Sequence, residues 1–402
     1  ADTGTYLSQA MHLYLGWDRP PAYSAAILPL HMGLSLWPVA AAQAALAAWI
    51  LARASRAFAP QLPPLAPIAG VALGSWLPWT VAEIMPDLLT PLLVVSFCLL
   101  ALAPEALPRG ERRAMGAFAA FAIAAQQSSV PLYVGCIALA APRLGPRRTA
   151  LLSLPLGAAL LGTALVNAAG HGRFAPSPFG ALFPLARMLA DGSARATLDA
   201  RCPDAGWRLC AVRECIGDDS DEFLWAPGSP VLAAGGHKAV ALEASAIILA
   251  TLADRPAAAA REAWEAALSQ SLRFASGDGL NPWPAQVAPW IARDFPKTER
   301  ARYAAARQQR AELEVPAPLA ALHRAAALGG IVLAGAPLPL AIRRDRRAAW
   351  LLALSLAVLP LSAAIAGPLS GPHDRYQARI VWLPGFAAAL AAANLAAAAR
   401  RK

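Results

Sequence analysis

The sequence predicts an all-α integral membrane protein, a multi-span helix bundle with one large, mainly helical extracytoplasmic loop domain. Three observations lead there. Of 402 residues, 57% are hydrophobic and only 15% are charged, far from the balance of an ordinary soluble domain. Apolar runs long enough to cross a bilayer recur along the chain. The arginines fall in short clusters between those runs, as in the cytoplasmic loops of membrane proteins. A net charge of +10 therefore reflects loop topology. Nucleic-acid binding needs a basic face interleaved with aromatics on a soluble domain, so no nucleic acid is expected.

Taken in order, nine spans are expected, near 35–53, 63–83, 88–104, 112–126, 130–142, 149–168, 319–342, 348–366 and 378–399. Gly, Pro and Ser recur inside them, which membrane bundles accept because neighbouring helices re-satisfy freed backbone groups. Alternate connections carry Arg53 and Arg56, then Arg109, Arg112 and Arg113, then Arg143, Arg147 and Arg148, then Arg343, Arg344, Arg346 and Arg347, and finally the tail Arg400, Arg401 and Lys402. The opposite connections, "EIMPD" (83–87), "QQSS" (126–129) and "GPLSGPHDRYQ" (367–377), are poor in basic residues. The positive-inside rule then places the C-terminus in the cytoplasm of a bacterial-type inner membrane, with residues 1–34 and 169–318 outside. An odd number of spans leaves the N-terminus outside, so one further span upstream is expected. Three regions follow: a membrane region 1–168 with the first external loop and about six spans, an extracytoplasmic domain 169–318, and a membrane region 319–402 with about three spans.

Within the external domain, residues 173–237 read as structured loop, rich in Gly, Pro, Asp and Cys. Residues 240–274 and 297–313 are Ala-rich and helical in pattern, with Pro256 able to open a second helix. Helices lying at the membrane interface and a soluble cap fit equally. Cys202 and Cys210 lie on the oxidising side of the membrane, and a disulfide is the preferred reading over a metal site, because no C-x-x-C pair exists and the nearest histidine is His237. The acidic run "GDDSDEF" (217–223) lacks EF-hand spacing and reads as a solvated turn.

Polar groups gather at the external membrane edge: Asp2, Asp18, Arg19, Glu83, Asp87, Gln126, Gln127, His171, Arg173, His373, Asp374, Arg375 and Arg379. Each has an ordinary explanation. Asp87 suits a helix first turn, and Arg375 and Arg379, four apart, could snorkel to headgroups. His12, His31 and His323 read as structural groups. Together, however, acids and arginines on one face suit a definite chemistry. A carboxylate acts as general base on an acceptor while arginines hold and neutralise a phosphate leaving group.

The order of motifs resembles that of the GT-C-fold, polyprenol-phosphate-dependent glycosyltransferases, the group containing protein O-mannosyltransferases and the lipid A aminoarabinose transferase. The opening "ADTGTYLSQAMHLYLGWDRPPAY" is similar to their first external loop through Asp2, Tyr6, Gly16 and Arg19-Pro20-Pro21, followed by a helix ending in Leu51-Ala52-Arg53. "IMPDLLTPLLVVSFCLLAL" looks like a later family helix opening on an acid, here Asp87. "DRYQARIVWLPGFAAALAA" looks like the last-helix pattern, giving Arg375 and Tyr376. The resemblance covers roughly the first 130 residues and the last 30.

That resemblance implies a GT-C-like bundle transferring a sugar, with inversion, from a polyprenyl-phosphate donor to an acceptor on the extracytoplasmic face. Asp2 would be the general base. Arg19, Arg375 and Arg379 would bind the donor phosphate, and Tyr6, Asp87, Tyr376 and His373 would support the site. The implied partners are membrane lipid, the lipid-linked sugar and a protein, envelope-glycan or lipid acceptor. No cofactor and no metal are expected, since Thr3 stands where a second acid would make a carboxylate pair. The alternative is a non-catalytic subunit of the same architecture whose external domain docks a partner or assembly. A transporter has less support, because no internal repeat is found and the spans carry almost no charge.

Overall fold

A computed structural model describes residues 2–399; the basic tail Arg400, Arg401 and Lys402, used above for topology, lies outside the described residues. Those residues fold into helices joined by turns, with no strand among them. Four helices are long and apolar enough to cross a membrane: Ser129–His171, Ala317–Gly335, Arg346–Ser370 and the run Asp374–Ala397. The chain has the character of a membrane protein on that ground. The expected nine spans are not reproduced.

The reasons are local. The expected spans 130–142 and 149–168 form one 43-residue helix whose two limbs meet at Gly145, where φ is 72°, a conformation that favours glycine. The expected span 63–83 breaks at Ser75 and Trp76 into Leu65–Gly74 and Leu77–Ala82. There the Ser75 hydroxyl accepts the Leu77 N–H at 3.2 Å. The span expected at 88–104 is the 14-residue helix Leu89–Leu102, and that at 112–126 is the 17-residue Arg109–Ala125. The 22-residue helix Trp37–Phe58 interrupts its apolar face with Gln43, Arg53 and Arg56.

The chain divides into two compact units, 1–161 with 273–361 and 374–402, and 162–272 with 362–373. In the first unit, the helices Ala317–Gly335 and Leu383–Ala399 cross closely at glycine. A Cβ on Gly330 would stand 2.8 Å from Gly385 Cα, the small-residue packing that membrane helices use. Leu92, Phe97, Met115, Ile123 and Tyr133 are fully buried and fill the space between Leu89–Leu102, Arg109–Ala125 and the start of the long helix.

The division differs from the external domain expected at 169–318, because residues 273–318 pack within the first unit. The helix Pro284–Asp294 lies against Asp2–His12 so closely that a Cβ on Gly4 would meet the Gln286 carbonyl oxygen at 2.0 Å. His12 Nε2 sits 2.9 Å from Asp294 Oδ2. Glu299 accepts the Leu36 N–H at 3.1 Å. These contacts join segments more than 250 positions apart, which span-by-span reading does not reveal.

The second unit packs Leu182–Ala190, Ser193–Arg201, His237–Asp254 and Pro256–Leu272 around buried Leu185, Leu189, Leu198, Val240 and Ile247. Pro256 opens the last of these helices. The structure joins Cys202 to Cys210 in a disulfide and leaves Cys215 exposed. In the acidic run, Asp219 caps the helix Ser220–Trp225 by accepting the N–H groups of Asp221 and Glu222.

Candidate functional site

The polar groups that converge lie in the first unit, and the turn chemistry of five segments brings them there. Asp2 opens the helix Asp2–His12, where a carboxylate suits the exposed N–H groups. Arg19 precedes Pro20, whose extended backbone starts the helix Pro21–His31. Arg19 Nη2 donates to Asp2 Oδ1 at 2.7 Å, with both side chains nearly buried. The Arg19 carbonyl is held in turn by Gln9 Nε2 at 3.1 Å, and Gln9 Oε1 accepts from Ser24 Oγ at 3.1 Å. The loop between the two helices is thus fixed by its own side chains.

Burial alone would raise the Asp2 carboxyl, but the positive charges of Arg19 and then Arg375 hold it down at about 2. The Arg375 guanidinium therefore lies within electrostatic reach of Asp2, 373 positions away in sequence. Arg19 is itself pushed up: burial lowers it, but Asp2, Tyr6 and Asp18, with the hydrogen bond to Asp2, together outweigh that cost. Asp18 accepts from Thr5 Oγ1 at 3.4 Å, and burial raises its carboxyl. Tyr6 is buried edge-on against Tyr23, ring centroids 5.0 Å apart, and burial raises its hydroxyl well above the ordinary value. Tyr23 donates to Gln43 Oε1 at 2.9 Å, and Gln43 Nε2 donates to the carbonyls of Val81 and Glu83 at 2.8 Å each.

A second ion pair is more deeply buried. Asp87, in the turn Pro86–Leu88, pairs with Arg379; the two residues are 5% and 3% exposed. Gln126 Nε2 donates to Asp87 at 3.2 Å and Gln126 Oε1 accepts from Thr90 at 2.6 Å. Arg379 is thereby committed to a carboxylate, whereas Arg375 makes no ion pair among the described residues. Its backbone N–H is held by Asp278 Oδ2 at 2.9 Å, and its guanidinium lies 5.1 Å from the centroid of the Tyr376 ring, with Arg379 at 5.4 Å. The Nε atoms of both arginines are buried without an acceptor among the described residues. Asp374 fixes the start of this turn by accepting the Ala275 N–H at 2.7 Å.

His373 belongs to the second unit, where Gln270 holds both its N–H and its carbonyl at 2.8 Å. Asp2, Tyr6, Arg19, Asp87, Arg375, Tyr376 and Arg379 all belong to the first. Two residues that sequence reasoning left out of the site join them. Glu83 was noted at the membrane edge without a role. Asp278 was missed altogether, although its place in "SGDG", between glycines at φ 111° and 91°, is the pattern of a tight turn that aims one polar side chain. The histidines occupy structural positions: His31 accepts the Gly33 N–H at 3.0 Å, and His323 is 2.7 Å from Ser276 Oγ.

An apolar cavity of about 360 Å³ adjoins the same stretch of chain. Ala378, Val381 and Trp382, which follow Arg375, line one wall, and Gly70, Gly74 and Trp76 line another. Trp382 Nε1 donates to the Arg379 carbonyl at 2.8 Å, tying that wall to the ion pair. No group of three or more His, Cys, Asp or Glu side chains suited to a metal occurs among the described residues. Comparison with protein families, with curated proteins and with solved structures returns no match.

Proposed function

We propose that the protein is a membrane glycosyltransferase that takes a sugar from a polyprenyl-phosphate donor and passes it to an acceptor on the extracytoplasmic face. The observation that carries this reading is Arg375. Among the described residues its guanidinium lacks a carboxylate partner and its buried Nε lacks an acceptor, and a buried donor left unpaired is costly. A phosphate oxygen supplies what is missing, and arginine binds phosphate with several donors at once. The apolar cavity lined by Ala378, Val381 and Trp382 supports a ligand whose phosphate continues into a hydrocarbon chain. Arg19, paired with Asp2, contributes further positive charge. Arg379, already paired with Asp87, holds the turn that presents Arg375.

The test is transfer by the purified full chain, using a panel of prenyl-phosphate hexoses with hydroxyl acceptors. The reading expects hexose release or transfer that Arg375→Ala lowers about 100-fold or more, the loss seen when one donor to a developing oxyanion is removed. No turnover of any donor, with wild-type complexes still forming in Arg375→Ala, would favour the non-catalytic subunit instead.

A further inference from the structure

Glu83 stands one residue past the helix Leu77–Ala82, in extended backbone with φ −70° and ψ 134°. Its carbonyl is anchored by Gln43, so the peptide cannot swing freely. Gly279 comes up against the side chain: a Cβ there would stand 3.8 Å from Glu83 Oε1. The charged groups facing the carboxyl are Asp87 of the turn Pro86–Leu88, Asp278 beside Gly279, and Arg375 and Arg379 from the last segment. It therefore sits among Asp87, Asp278, Arg375 and Arg379, outside the four helices that are long and apolar enough to span a membrane among the described residues.

The other carboxyls gathered there are occupied. Asp2 is paired with Arg19, Asp87 with Arg379 and Gln126, Asp278 with the Arg375 N–H, and Asp18 with Thr5. Glu83 alone among these has no side-chain hydrogen bond or ion pair among the described residues. Asp2 is a weak proton acceptor, because its charge is stabilised by guanidinium and its carboxyl is held at about 2. Glu83 is the opposite case: burial, then the negative charge of Asp87, push it up to about 8 against the opposing pull of Arg375. A base works best when its conjugate acid titrates near the working pH.

We propose that Glu83, rather than Asp2, is the catalytic base of this site and takes the proton from an acceptor hydroxyl. This rests on the sugar-transfer reading above. In the step, the acceptor oxygen bonds to the anomeric carbon while the bond from that carbon to the phosphate oxygen breaks. The electron pair of the broken bond leaves with the prenyl phosphate, whose added negative charge falls beside Arg375. The hydroxyl proton ends on the Glu83 carboxyl and is returned to solvent. Asp2 is then a positioning residue that orients Arg19.

The experiment follows hexose transfer from farnesyl-phosphate hexoses to water and to a serine-containing peptide, as a function of pH. Wild-type kcat is expected to rise through a midpoint near 8. E83Q is expected to lower kcat about 100-fold or more and flatten that rise, the range for loss of a general base, with farnesyl-phosphate affinity within about threefold of wild type. D2N is expected to weaken donor binding while keeping the rise with pH. Should E83Q fail to fold, E83D serves, and its midpoint is expected to move. Wild-type kcat and pH dependence in E83Q, an unmoved midpoint in E83D, or loss of the rise in D2N would overturn the assignment while leaving transfer itself standing. No transfer and no farnesyl-phosphate binding by the wild type would remove the transfer reading and this inference together.

Discussion

Removing one partner of the buried Asp87–Arg379 pair strands the other's charge away from water. Asp87→Ala leaves the Arg379 guanidinium, 3% exposed, without its counter-charge. Gln126 cannot replace the carboxylate, because only its oxygen accepts and that atom already serves Thr90. The Tyr376 ring, 5.4 Å from the guanidinium carbon, faces it in wild type and variant alike and so does not reduce the loss. Breaking a buried pair on one side costs about 3–5 kcal/mol, and that is the loss expected here. With ordinary per-residue unfolding entropies, that lowers the melting temperature of a chain this size by about 4–6 °C. Replacing both partners by apolar groups removes the charge as well as its partner, so Asp87→Leu with Arg379→Met should recover most of the loss. The assay is tryptophan-fluorescence melting of detergent-solubilised protein, with size-exclusion chromatography to verify a single species. A single variant that melts with the wild type, or a double variant that melts below both single variants, would refute the reasoning.

Three further outcomes follow. The Asp2 carboxyl is held at about 2 in the folded protein against an ordinary 3.8, so the charges of Arg19 and Arg375 beside it contribute about 2 kcal/mol above pH 4 that is lost as the pH falls through 2. Acid melting should show that slope in the wild type and lack it in Asp2→Asn. Gly4→Ala places a methyl group against the Gln286 carbonyl oxygen and should release the helix Pro284–Asp294, seen as faster proteolysis between residues 276 and 296. Cys202→Ser opens the short loop closed onto Cys210 and should cost the second unit about 2 kcal/mol, read by hydrogen exchange across Ser193–Arg201.

How far the sequence foretold these arrangements depends on the range of the interactions. Apolar length located the long helices at 129–171, 317–335 and 346–370, because hydrocarbon burial is a property of each segment alone. At 63–83 it expected one continuous span where the Ser75 turn divides the run into two helices, a break that composition does not reveal. It also gave 273–318 to the external domain, since nothing local to "GDGLNPWPAQVAPW" states that Gln286 will meet Gly4. Asp2, Arg19, Asp87, Arg375 and Arg379 stood out in the sequence because charge beside long apolar runs is conspicuous. Their pairing did not. Arg379 finds Asp87 across 292 positions, and that choice leaves Arg375 without a carboxylate and Asp2 with Arg19. Glu83 was visible only as a charge at the membrane edge; its role depends on which partners the other acids take. Asp278 carried a turn signature, yet only its 2.9 Å contact with the Arg375 N–H connects it to the site.

The central claim is that Arg375 holds the phosphate of a lipid-linked donor, and the most direct measurement is equilibrium binding of farnesyl phosphate. Wild type, Arg375→Ala and the distant control Arg347→Ala should be compared, each with inorganic phosphate as competitor. Loss of one or two charge-assisted hydrogen bonds predicts about 10–100-fold weaker binding in Arg375→Ala, unchanged binding in Arg347→Ala, and inorganic phosphate competing weakly because it leaves the apolar cavity empty. Equal farnesyl-phosphate affinity in wild type and Arg375→Ala would contradict the claim.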